Sequence, residues 1–217
     1  MWYNVPKAFS EEYCKEIIDY FDAKEKADAT IEDSGVNKNI RETEIHFAKD
    51  IAENNSFENN LHLSVDRLIQ RVNFEWYDYD LRYNEAPQFG VYKSETKAFY
   101  DWHEDVLHNS SNKQLRKLSM VILLNDKDKY SGGNLELDHQ DKPVNFSKAG
   151  DAIFFPSYLK HRVTPVETGI RYSLVCWSNG PACRRQTRPF RPRRGPLYKL
   201  PRAHRNTPRP SRAPRPW

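Results

Sequence analysis

Hydrophobic positions early in the chain recur with a helical period, and beyond about residue 76 they alternate. Ser10 opens the first helical stretch, about residues 11 to 24. Its hydroxyl suits an N-cap, Glu11 and Glu12 stand in the first turn where the helix dipole favours acids, and Phe9 and Cys14 are spaced as a hydrophobic staple. Tyr13, Ile17, Tyr20 and Phe21 form its apolar stripe. A second helix is expected over about 60 to 73, because Leu61, Val65, Leu68, Ile69 and Val72 recur at i, i+4, i+7, i+8 and i+11.

After residue 76 the segments 77–81, 89–92 and 135–137 alternate apolar and polar residues as half-buried strands do. Residues 118–124 are apolar at nearly every position, the pattern of a strand covered on both faces, so this strand is expected at the centre of a sheet. Turns are marked at 125–128 and at Ser131-Gly132-Gly133. Helices followed by many short strands give an α+β chain. The expected core is a double-stranded β-helix (jelly roll), with the N-terminal helices packed on the outer face of one sheet.

On this scaffold one stretch carries chemistry: Tyr100-Asp101-Trp102-His103-Glu104-Asp105. Side chains alternate along a strand, so His103 and Asp105 are expected on one face and Trp102 and Glu104 on the other. His161 follows the apolar run 152–155 and the turn at Pro156-Ser157, where a neighbouring strand would begin. Two histidines and one carboxylate form the facial iron(II) site that leaves coordination positions open. Taken singly, His103 and His161 would be ordinary hydrogen-bonded histidines, and the spacing is what favours ligands. His46, His62, His108, His139 and His204 lack a partner at such spacing, and His62 is expected on the wet side of its helix. Arg171 opens the strand 171–177 and shares a face with Ser173, Val175 and Trp177. An inward arginine beside an open iron site suits the bidentate capture of a dicarboxylate.

Tyr92, His103-x-Asp105, Gly132-Gly133, His161, Arg171 and Trp177, in that order, resemble the iron(II)/2-oxoglutarate dioxygenases of the prolyl 4-hydroxylase type, in the bacterial and phage branch that carries arginine as the anchor. The likeness spans about residues 85 to 180. It implies the same jelly-roll fold, with His103, Asp105 and His161 as metal ligands and Arg171 as the anchor of the 2-oxoglutarate C5 carboxylate. It further implies Fe(II), 2-oxoglutarate and O2 as cofactor and co-substrates, admits ascorbate, and gives succinate and CO2 as by-products of hydroxylation. By the same resemblance Tyr92 contacts co-substrate or substrate, Leu135 and Leu137 form an apolar wall, and Trp177 packs beside the pocket.

The chain also departs from the pattern of the family it resembles. Many prolyl hydroxylases have a tyrosine near the anchor at the position matched here by Leu123, so another hydroxyl is needed, and Thr164 or Ser173 is the expected source. Alkylation-repair demethylases carry a second arginine six residues after the anchor, where this chain has Trp177. Iron halogenases lack the carboxylate that Asp105 supplies. The favoured substrate is therefore a peptidyl residue, proline above others. The alternatives are a free amino acid, small metabolite or nucleic acid, or a catalytically silent jelly roll whose tail binds nucleic acid.

Charge alters this picture only at the C-terminus. From Gly180 onward eleven arginines, one lysine and no acid give +12, while the rest of the chain carries 22 basic and 30 acidic residues. Nine of the 14 prolines fall in the same stretch, too polar to build a core, so residues 184–217 are expected to be a disordered basic tail on a catalytic domain of residues 1–183. Such a tail suits weak attachment to nucleic acid, although an extended reading frame would leave the same composition. Cys14, Cys176 and Cys183 show no disulfide or zinc spacing, and no apolar stretch is long enough for a membrane span. A cytoplasmic setting is expected, that of a host if the source is viral, with a peptide or protein partner and no membrane.

Overall fold

The computed structural model describes residues 2–24, 27–28, 40–48, 56–106, 108–109, 114–138, 144 and 146–182; the expected tail at 184–217, His139 and His204 lie outside them. The elements in chain order are β1 (Tyr3–Val5), α1 (Glu11–Asp22), β2 (Ala27–Asp28), β3 (Arg41–Glu42), β4 (Glu44–Phe47), α2 (Ser56–Val72), β5 (Tyr83–Asn84), β6 (Gln88–Lys93) and β7 (Phe99–His103). They continue as β8 (His108–Asn109), β9 (Gln114–Leu123), β10 (Tyr130–Gly132), β11 (Leu135–Leu137), β12 (Ala152–Pro156), β13 (His161–Val163) and β14 (Val166–Pro181). Among the described residues all strand pairings are antiparallel.

A large sheet runs β1-β12-β9-β14-β6-β4-β2, and a smaller one runs β11-β13-β7-β3. The period of two along each large-sheet strand divides the core. Met120, Ile122, Phe154, Leu174, Cys176, Phe89 and Val91 point outward, into a cluster with Ile17, Phe21, Leu61, Val65 and Ile69 of the two helices. Val121, Leu123, Ile153, Phe155 and Tyr92 point inward and meet Leu135, Leu137 and Val163 of the smaller sheet. Coverage on both faces explains the unbroken apolar run of β9, which lies between β12 and β14 as its sequence predicts. The architecture is the double-stranded β-helix with helices on one outer face. Among the described residues no helix is long and apolar enough to cross a membrane.

Ser10 caps α1 by accepting from the Tyr13 N–H at 3.1 Å. The buried stripe is Cys14, Ile17 and Phe21, while Tyr13 and Tyr20 sit at its margin, where Phe57 packs against both rings. The predicted strand at 77–81 does not form. A π-helical turn, Asn73–Tyr77, extends α2, and Asp78 enters the left-handed region at φ 52°. The Asn73 side chain then accepts from the Tyr79 N–H and donates to the Tyr79 carbonyl, both at 3.0 Å, and so takes the bonds a partner strand would have made. The alternation is nonetheless a burial pattern: Tyr77, Tyr79 and Leu81 pack on the core. His62 also departs from expectation, since its Nε2 lies 2.7 Å from the Ala48 carbonyl, making it half-buried and tied down.

Candidate metal centre and anion pocket

Polar residues interrupt the inward face of the large sheet, among them Gln88 on β6, Ser119 on β9, and Arg171 and Ser173 on β14. They line one cavity together with Arg41, Tyr92, Tyr100, Val121, Leu135, Val163, Val175, Trp177 and the three residues of the His-x-Asp…His pattern, apart from Ser119, which supports it from behind. His103 ends β7 and His161 begins β13, and the two stand directly opposite each other in register. Asp105 is two residues past the end of β7, so strand alternation alone does not place it. Its N–H donates to the Ser157 carbonyl at 2.9 Å, and its Oδ2 accepts from the Ser119 hydroxyl at 2.7 Å. Ser119 in turn lies 2.9 Å from Ser157 Oγ. Trp102 and Glu104 point outward as expected.

One side-chain atom from each of His103, Asp105 and His161 lies within 4.8 Å of the others, and no other such group of three or more occurs among the described residues. His103 Nε2 is 3.6 Å from Asp105 Oδ1, and His161 Nε2 is 3.4 Å from Oδ2. Each Nδ1 faces a backbone carbonyl two residues upstream, Asp101 at 2.7 Å and Leu159 at 2.9 Å. A carbonyl only accepts, so both rings donate from Nδ1 and present Nε2 toward the carboxylate. Burial, with the neighbouring His161, holds His103 down to about 3 against the pull of Asp105. For Asp105, burial works to raise the pKa, but His161, His103 and the Ser119 hydroxyl outweigh it and keep the group below the usual carboxylate range. Two imidazole Nε2 atoms and one carboxylate, all within reach of a single point, are donors that a divalent metal takes, so the donor set fits Fe(II).

Arg171 is 1% exposed and is the largest of the fully buried side chains among the described residues. Its Nη1 donates to Ser173 Oγ at 3.0 Å, its guanidinium carbon lies 5.0 Å from the centre of the Tyr92 ring, and its Nη2 is buried with no acceptor. Tyr92 is its cross-strand neighbour. An unpaired buried guanidinium edge fits a carboxylate ligand. Tyr130, unremarked in the sequence, also faces this arginine: burial raises its pKa and Arg171 opposes the rise. Ser173, which pairs with Leu123 in register, and Tyr130 both place hydroxyls beside Arg171. Thr164 does not line the cavity; its Oγ1 accepts from the Asn134 N–H at 2.9 Å and secures the turn before β13's partner strand. Arg162 points away and pairs with Glu136 at 2.7 Å.

Gly133 holds Arg171 in place by having no side chain. At φ +56° a Cβ there would stand 2.9 Å from Val166 Cγ2 and 3.0 Å from Arg171 Cδ. Gly133→Ala is expected to destabilise the fold by about 1–3 kcal/mol through left-handed strain and crowding, measured as a fall in the denaturant midpoint. An unchanged midpoint would show that the turn yields freely.

Residues 87–179 match the profile described as the 2OG-Fe(II) oxygenase superfamily. A PKHD-type hydroxylase of Synechococcus sp. is 36% identical over 92 residues, covering 42% of this chain and 40% of that protein. One from Thermosynechococcus vestitus is 40% identical over 81 residues, 36% of each chain. The chain therefore spans about two fifths of the length of these curated relatives. Among solved structures, a Pseudomonas putida prolyl-4-hydroxylase superposes with a TM-score of 0.63 at 22% identity, over 82% of this chain and 91% of that one. A prolyl hydroxylase from Trichoplax adhaerens, in complex with a hypoxia inducible factor peptide fragment, gives 0.65 at 18% identity over 82% of both chains.

Proposed function

We propose that the chain, whose residues 87–179 match the 2OG-Fe(II) oxygenase superfamily, is an Fe(II)- and 2-oxoglutarate-dependent dioxygenase that hydroxylates a peptidyl residue, proline, with release of succinate and CO2. The observation that carries this reading is the meeting, in one cavity, of the His103–Asp105–His161 cluster with the fully buried, unpaired edge of Arg171. His103, Asp105 and His161 would hold the metal. Arg171, with Ser173 and Tyr130 against it, would grip the far carboxylate of 2-oxoglutarate. When bound, the metal supplies O2 activation coupled to decarboxylation of the co-substrate, with oxidation of a C–H bond.

The protein's own part is orientation and exclusion of water. Ser119 and Ser157 fix the Asp105 carboxylate, the Asp101 and Leu159 carbonyls fix the two rings, and Leu135, Val121, Val163 and Val175 give the cavity apolar walls. A peptide substrate is supported by the Trichoplax neighbour, which is a prolyl hydroxylase holding a peptide fragment. The test is incubation of the full chain with Fe(II), 2-oxoglutarate and proline-containing peptides, followed by mass spectrometry. A gain of one oxygen on proline, dependent on 2-oxoglutarate, is expected. Oxidation confined to free amino acids or nucleotides would replace the substrate assignment.

The basic tail is assigned no part in the reaction. A chain ending at Ala182 is expected to convert 2-oxoglutarate at the rate of the full chain, while any nucleic-acid binding by the full chain is expected to be weak, indifferent to sequence and steeply reduced by salt. Gel-shift titrations at two salt concentrations, beside succinate assays, check both statements. Salt-resistant, sequence-selective binding, or loss of turnover on truncation, would make the tail part of the machinery.

A further inference from the structure

A second arginine is enclosed in the same cavity, and nothing in the proposed reaction uses it. Arg41 lies on β3, opposite Tyr100 of β7, and is 7% exposed. Its Nη2 donates to Gln88 Oε1 at 2.9 Å, its guanidinium carbon sits 4.5 Å from the centre of the Tyr100 ring, and its Nε is buried with no acceptor. Among the described residues no carboxylate forms an ion pair with it. A neutral amide and an aromatic face do not balance a buried positive charge, which is costly until an anion meets it.

Position and charge say which anion. Tyr92, the neighbour of Arg171, and Gln88, the partner of Arg41, are four residues apart on β6, about 13 Å of strand. Arg41 and Arg171 therefore meet β6 at separate points of the one cavity. It adjoins the metal cluster, since the Tyr100 ring it covers also stacks on His103 with centroids 3.4 Å apart. A divalent metal, ionised Asp105, Arg171 and a dianionic co-substrate sum to zero, and the charge left over in the cavity is that of Arg41.

On the reading of this cavity as a 2-oxoglutarate oxygenase site, we propose that Arg41 is a specificity-determining residue that binds a carboxylate of the peptide substrate, beside the carbon that is oxidised. Two peptide sources present that group: an Asp or Glu adjacent to the target proline, or the free C-terminus of a peptide ending in it.

The test is calorimetric titration, without O2, of the full chain loaded with Mn(II) and 2-oxoglutarate. The probes are acetyl-Gly-Asp-Pro-Gly-amide, acetyl-Gly-Pro-Asp-Gly-amide and acetyl-Gly-Gly-Pro with a free carboxylate, each against its neutral Asn or amide counterpart. At least one acidic probe is expected to bind about tenfold or more tightly than its neutral counterpart, and which one does so distinguishes the two sources. Arg41→Gln is expected to erase the preference, and Arg41→Lys to restore part of it. Equal affinity of acidic and neutral probes for the wild-type chain overturns the proposal even if Arg41→Gln fails to fold. So does a preference that survives in Arg41→Gln, or tighter binding of the dinucleotide TpT than of every peptide. Wild-type protein that binds Mn(II) but never 2-oxoglutarate would instead overturn the underlying reading of the site.

Discussion

Asp105→Ala is expected to reduce succinate formation to the level without protein and to abolish the rise in melting temperature that metal plus 2-oxoglutarate gives the wild-type chain. Asp105 is the only carboxylate in the three-residue cluster, and its ionised state is secured by His161, His103 and Ser119 against the cost of burial. Without it, two imidazoles remain with no anionic donor. A ligand at a hundredfold excess over its Kd adds about 2.7 kcal/mol to the native state, so loss of binding is read directly as loss of the thermal shift. His103→Ala and His161→Ala are expected to behave alike. Ser119→Ala should be milder, because it removes a hydrogen bond that orients the ligand while leaving the ligand; a loss of about 10–100-fold in metal affinity is typical of such partners. Titration of Fe(II) or Mn(II) beside the succinate assay measures all four. Full metal affinity in Asp105→Ala would move the metal elsewhere.

Arg171→Lys separates the co-substrate from the metal. Lysine keeps the charge but loses the planar pair of donors, and it cannot both reach Ser173 and offer the edge now carried by the unpaired Nη2. The KM for 2-oxoglutarate is expected to rise about tenfold or more, equivalent to about 1.4 kcal/mol, with metal affinity little changed. Tyr130→Phe should raise the same KM by a smaller factor. Arg162→Ala should leave it alone, since that residue is paired with Glu136 outside the cavity. An unchanged KM in Arg171→Lys would remove Arg171 as the anchor.

The clustering of His103 with His161 was legible in the sequence because both sit at strand ends, where period-two alternation and the turn at Pro156-Ser157 fix direction. Asp105 reached the same place for a different reason: it lies past the strand and is captured by Ser119 and Ser157, two residues far away in sequence. Ser119 did leave a signal, as the only hydroxyl within the apolar run 118–124, at an inward position. Tyr130 and Arg41 left none, because each enters the cavity through long-range pairing, Tyr130 beside β14 and Arg41 beside β7, that no local pattern specifies. The same limit explains the segment 77–81, where alternation reported burial correctly but could not show that Asn73 supplies the bonds of a missing strand. Thr164 was spaced well for the anchor pocket, yet its hydroxyl is committed to the Asn134 backbone.

The most direct test of the central claim is quantification of succinate by NMR after the full chain, carrying one equivalent of Fe(II), is given 2-oxoglutarate in air. Succinate is expected in the wild-type sample, with none when Fe(II) is omitted and none from Asp105→Ala or His161→Ala protein. Intact 2-oxoglutarate in a wild-type sample whose iron content is verified, with and without proline peptides, would contradict it.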